Sequence, residues 1–156
     1  MDIFRGAERF MAMDDAAWRR HANPLSVWTR FSVLPLICLA VWSRAWLGWA
    51  AIVPIAAALA WVWINPRLFG EPDRFDRWPS KGVLGERIFI AHRADLPVHQ
   101  RQAAQWLAWA SLPGLFVLSM GLVFLWWEGV VFGCALAMLP KIWFVDRMVW
   151  IFDDWR

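Results

Sequence analysis

Two long apolar runs, residues 25–64 and 103–145, constrain this chain more than anything else in it. The first holds 40 residues and would measure about 60 Å as one helix at about 1.5 Å per residue. A bilayer core is about 30 Å thick, so a single crossing is far too long and two crossings fit. The break falls at Ser43-Arg44-Ala45, where Arg44 is the one charge between Phe31 and Ile64. The second run holds 43 residues with one central break, Trp126-Trp127-Glu128-Gly129. This pattern predicts an all-α integral membrane four-helix bundle made of two transmembrane hairpins. Its spans fall at about 25–42, 46–64, 103–126 and 129–145. Two buried soluble hairpins would leave a large apolar surface with no polar face to cover it.

The rest of the composition agrees. Hydrophobic residues make up 60% of the 156 residues, above the soluble norm of about 45–50%, and charged residues 19%, below the usual 25% or so. A disordered chain, a soluble enzyme domain and a disulfide-stapled module all fit poorly. The first 23 residues are peppered with charge, Arg5 to Arg20, so no cleavable signal peptide is expected. Cys38 and Cys134 stand alone in separate apolar stretches and read as small packing residues, with no disulfide expected.

Cap chemistry supports the boundaries. Asn23-Pro24 reads as an N-cap followed by proline at the first helical position. Asn65-Pro66 reads as the close of the second span, since proline cannot continue a helix without losing a hydrogen bond. Each span carries one proline (Pro35, Pro54, Pro113, Pro140), read as kinked packing. Tryptophans form two belts. Trp42, Trp46, Trp49, Trp126 and Trp127 surround the proposed tips, and Trp28, Trp61, Trp63, Trp106, Trp109, Trp143 and Trp150 lie near the other ends, as indoles favour the headgroup boundary.

Outside the spans, residues 1–22 place Ile3, Phe4, Phe10, Met11 and Trp18 on one stripe, an amphipathic N-terminal helix on or beneath the membrane domain of residues 23–156. Residues 65–102 form a turn-rich interfacial loop in which Ser80 is expected to cap a short helix, and a helix restarts near Asp95 and Pro97. Fifteen of the sixteen Lys and Arg residues lie on the side that carries both termini. Basic residues are retained in the cytoplasm, which predicts both termini inside.

Candidate chemistry is sparse. His21, Glu86, His92 and Asp146 are the residues that could move protons, though no catalytic motif joins them. No HxxxH or Cys/His array appears, so neither a metal nor a cofactor is expected. Arg30, Arg67, Arg87 and Arg147 could bind an anion or a lipid headgroup, because guanidinium forks match phosphate oxygens. A cluster of Glu86 and Arg87 with Arg67, Arg147 and Asp146 under the bundle is one expectation. Lys141 is the charge expected inside the hydrocarbon, either snorkelling to the headgroups or paired with Glu86. At the tips, Arg44 and Glu128 are the only charges and are expected to pair weakly.

Five strings carry a resemblance: His21-Ala22-Asn23-Pro24, Ser26-Val27-Trp28-Thr29-Arg30, Asn65-Pro66-Arg67-Leu68-Phe69, Val83-Leu84-Gly85-Glu86-Arg87 and Asp146-Arg147-Met148-Val149-Trp150. Together they resemble a Trp-rich prokaryotic family of small, uncharacterised membrane proteins, over most of residues 15–152. The resemblance implies no activity, substrate or cofactor. It does imply that the motif residues lie at the cytoplasmic end.

The functional expectation is a non-enzymatic protein of a prokaryotic cytoplasmic membrane. It would act through membrane lipids, a membrane-protein partner or a second copy of itself, and not through nucleic acid. The alternative is a membrane-embedded enzyme acting on a lipid or isoprenoid headgroup. A transporter is less well supported, since only Ser111, Ser119 and Lys141 could line a polar path.

Overall fold

The computed structural model describes residues 15–155, and every regular element among them is helical. Most of the segment 1–22 falls outside the described residues. Its end is α1 (Asp15–His21), which buries Ala17 and Trp18. Next, α2 (Pro24–Phe31) begins as its sequence dictates. Asn23 accepts from the Leu25 N–H at 2.9 Å through its side chain, and Pro24 fills the first helical position.

After an interruption at Ser32, α3 (Val33–Trp42) continues the same direction. The reversal does not come at Ser43-Arg44-Ala45. Ser43 bonds back to the Ala40 carbonyl at 2.7 Å and stays helical, and α4 (Arg44–Leu47) follows it. The chain turns instead at Gly48, whose φ of +53° suits glycine, and passes through a 3-10 turn (Gly48–Ala51). It then returns as α5 (Ile52–Leu68), which packs along α3 and reaches back to α2. Asn65-Pro66 does not end this helix, which runs on to Leu68. The Asn65 carboxamide is fully buried and faces sideways: Oδ1 accepts from Ser26 Oγ at 3.2 Å and Nδ2 donates to Thr29 Oγ1 at 2.7 Å.

Beyond the loop, α6 (Trp78–Ala91) starts three residues earlier than a Ser80 cap would allow, with Arg77 at the cap position. Pro79 is in its first turn and Ser80 lies buried within it. Then α7 (Val98–Val123) and α8 (Trp127–Asp154) run antiparallel in close contact. Glycines set their spacing: a Cβ at Gly114 would stand 2.3 Å from the Ala137 nitrogen, and one at Gly133 2.3 Å from the Leu118 nitrogen. Small residues of this kind let membrane helices approach backbone to backbone. The turn between them is made at Leu125, with the Trp126 N–H on the Gly121 carbonyl at 2.8 Å, so Trp127 and Glu128 already belong to α8. The third helix of this group, α6, crosses α8 where Gly85 lies against Met148.

The tightest packing is at one end. Trp18, Ala22, Val27, Val83, Phe89, Met148 and Ile151 form a common buried core drawn from α1, α2, α6 and the second half of α8. The long apolar stretches bury much less. Pro24–Asn65, Val98–Val123 and Trp127–Asp154 are each long and apolar enough to cross a membrane. Trp49 is 97% exposed and Trp106 74%, among many large apolar side chains without protein cover. A soluble monomer rarely shows contiguous apolar surface on this scale, so these stretches mark a membrane protein. Cys38 and Cys134 are free thiols that meet across α3 and α8.

Candidate functional site

Three polar residues of one cleft stand at a common level along the helices. Arg30, Ser111 and Lys141 each sit two positions from an exposed tryptophan (Trp28, Trp109 and Trp143), on the side toward the middle of the helix pair. Two helical residues rise about 3 Å, so the three line up just inside the tryptophan level. They line a cleft of about 240 Å³ between α2–α3 and α7–α8, with Phe31, Leu34, Leu115, Ala137 and Met138 as its other walls. The apolar walls lie deeper than the polar groups on all the contributing helices. The cleft is therefore cationic at its mouth and apolar beyond.

Arg30 is held from behind. Its Nε donates to the Ser26 carbonyl at 3.2 Å, Nη2 donates to the His21 carbonyl at 2.9 Å, and Nη1 donates to His21 Nε2. A guanidinium has five N–H groups, so three of them anchor it to α1 and α2 and two remain. Because Nε2 of His21 accepts, its proton resides on Nδ1, which is buried without a partner among the described residues. Burial first, and then the charges of Arg30 and Lys141, hold His21 far below the ordinary histidine range. His21 is neutral.

Lys141 Nζ stands 3.9 Å from Glu86 Oε1 and 4.7 Å from the centre of the Phe144 ring. The lysine side chain is 56% exposed, so the protein itself does not bury this charge. Glu86 also lies within electrostatic reach of Arg30. His21, Arg30, Glu86 and Lys141 thus form one cluster, carrying two positive charges and one negative.

The other singled-out residues lie elsewhere. Asp146 accepts from Trp78 Nε1 at 3.0 Å. His92 packs against Trp155, the rings tilted by 32° with centres 4.9 Å apart, and faces Asp95 at 3.7 Å. Arg87 pairs with Asp15. Arg67 donates to its own helix at the Trp63 carbonyl, 2.7 Å, and covers the Trp63 ring, while Arg147 lies over Trp150. Instead of converging with Glu86, Arg87 reaches Asp15, Arg67 covers Trp63, Arg147 covers Trp150 and Asp146 takes the Trp78 N–H. Nor does Arg44 pair with Glu128. Its Nη2 donates to the carbonyls of Leu122 and Val123 at the end of α7, where orphan acceptors await a donor. What sequence reasoning missed is the bond of His21 to Arg30. Their nine-residue spacing across the Asn23 cap carries no signal of it, since the contact depends on how α1 folds against α2.

Among the described residues, no three His, Cys, Asp or Glu side chains converge as a metal site would require. No curated protein and no solved structure matches the chain. A family model does: it matches residues 5–156, and the chain belongs to that family, DUF6653, a family of unknown function.

Proposed function

We propose that this protein is a small, non-enzymatic component of a prokaryotic cytoplasmic membrane that works through lipid contacts at its cytoplasmic face. In this reading residues 23–156 form one membrane domain. Pro24–Asn65 makes two crossings because it turns at Gly48, and α7 and α8 make two more, giving a four-helix bundle of two hairpins with both termini inside. The charge distribution supports that orientation.

The observation that carries the non-enzymatic reading is the state of His21. A general base near neutral pH needs an accessible nitrogen and a pKa near the working pH. His21 offers neither, with Nε2 taken by Arg30 and Nδ1 buried. Of the remaining proton-transfer candidates, Glu86 is held between the Lys141 and Arg30 charges, and His92 and Asp146 are engaged with Trp155 and Trp78. A site with an exposed lysine, a half-buried, anchored arginine and a locked base suits holding a ligand.

The test is lipid mass spectrometry on membranes from producing and non-producing cells, and on the protein purified from them. The reading expects enrichment of intact membrane lipids on the protein with no new lipid species. A new or depleted species that reverts with His21→Gln or Glu86→Gln would instead establish the enzyme.

A further inference from the structure

We propose that the cleft between α2–α3 and α7–α8 is a binding site for one anionic membrane lipid, its phosphodiester at the cleft mouth between Arg30 and Lys141 and its chain along Leu34, Leu115 and Met138. The inference deepens the lipid-contact reading and rests on it.

Three independent features converge on this occupant. The first is charge. Among the described residues, Arg30 and Lys141 face one carboxylate, Glu86, with His21 neutral, so the cluster they form carries one excess positive charge. An uncompensated charge at the edge of the hydrocarbon is costly, and a single phosphodiester neutralises it. The second is donor geometry. Arg30 is pre-oriented by its bonds to Ser26 and His21 and, among the described residues, retains two N–H groups, while the ion pair of Lys141 with Glu86 is long, at 3.9 Å. Ser111 adds a hydroxyl on the opposite wall.

The third is direction. The cationic mouth lies level with the exposed indoles of Trp28, Trp109 and Trp143, where headgroups reside, and the apolar walls run from there toward the middle of the span. A lipid is the ligand whose charge and chain are arranged in that order. The larger cleft beside α3 and α5, about 410 Å³ and lined by Leu36, Leu39, Ser43, Pro54 and Trp61, has no charged group and offers no such match.

The experiment is native mass spectrometry of the purified protein in a neutral detergent, titrated separately with phosphatidylglycerol and with phosphatidylcholine of identical chains. Inorganic phosphate serves as a competitor. The site predicts one phosphatidylglycerol bound about fivefold or more tighter than phosphatidylcholine, the weight of about one basic residue against an anionic headgroup. Phosphate should not displace it. Lys141→Gln should remove the preference while the lipid-free protein still folds and melts cooperatively, since the ion pair of Lys141 is long and its side chain is exposed. Glu86→Gln should strengthen it. An unaltered preference in Lys141→Gln overturns the site, and so does displacement by phosphate, which would make it a free-anion site. Equal retention of both lipids overturns the site and leaves the lipid-contact reading standing. Retention of neither overturns both.

Discussion

Asn65 and Thr29, 36 residues apart in sequence, are joined by a 2.7 Å hydrogen bond from Asn65 Nδ2 to Thr29 Oγ1, and the same carboxamide accepts from Ser26. The bond holds α5 against α2 next to the cationic cleft. Asn65→Leu keeps the volume and removes both contacts at a fully buried position. We expect it to cost about 1–3 kcal/mol, the penalty of leaving buried polar groups unpaired. A detergent melt followed by size-exclusion chromatography reads the loss directly. A variant as stable as the parent would show that α2 and α5 need no polar tie.

The crossing of α6 on α8 is a second point of dependence. A Cβ at Gly85 would sit 1.8 Å from the Met148 carbonyl oxygen, whereas one at Gly70 meets nothing within 4 Å. Gly85→Ala should therefore destabilise the protein by about 1–3 kcal/mol or more through overpacking. Gly70→Ala should melt within about 0.5 kcal/mol of the parent. Equal effects of the two would contradict the close approach at Gly85.

At the far end, Arg44 bonds the last carbonyls of α7 rather than Glu128. Glu128→Gln should leave the melting temperature unchanged within about 0.5 kcal/mol, the range of exposed substitutions. Arg44→Ala should lower it measurably, because it strips a charged donor from two carbonyls. If the two variants behaved alike, the Arg44 contact would have no energetic weight.

The elements differ in how readily their residues announced them. Asn23-Pro24 was legible because a cap and its proline act within three residues. Long apolar runs set the helical class for the same reason, since hydropathy is a property of each segment alone. Gly48 was harder: an Arg in an apolar run marks a break more visibly than a glycine does, yet only the glycine adopts the positive φ cheaply. Ser80 looked like a cap and is buried, because the packing of α6 on α8 extends that helix toward Trp78. At the site, His21, Arg30, Glu86 and Lys141 could each be singled out by type, and the Lys141–Glu86 partnership could be proposed from depth. That His21 and Arg30 would consume one another's polar atoms depends on how α1 folds under α2, which no local pattern encodes.

His21 also makes stability depend on pH. Its folded pKa is depressed below the unfolded value of about 6.5 by burial and by the Arg30 and Lys141 charges. The unfolded chain then binds the extra proton first. The contribution is fully present above about pH 6.5 and is lost as pH falls below it, by at most about 1.4 kcal/mol per pH unit. Melts of the parent between pH 7.5 and pH 5 (that is, across the unfolded pKa of about 6.5) should show this decline, and His21→Gln should flatten it. A parent curve that rises on acidification would contradict a neutral, buried His21.

The central claim is a membrane domain that crosses four times with its cationic cleft on the cytoplasmic side. Single cysteines decide it, introduced as Ala45→Cys, Arg74→Cys or Glu128→Cys in a Cys38→Ala/Cys134→Ala background; all three positions are exposed. Intact cells are treated with a membrane-impermeant maleimide before and after permeabilisation. The account predicts labelling at positions 45 and 128 in intact cells and at position 74 only after permeabilisation. Labelling at 74 in intact cells, or at only one of 45 and 128, would contradict it.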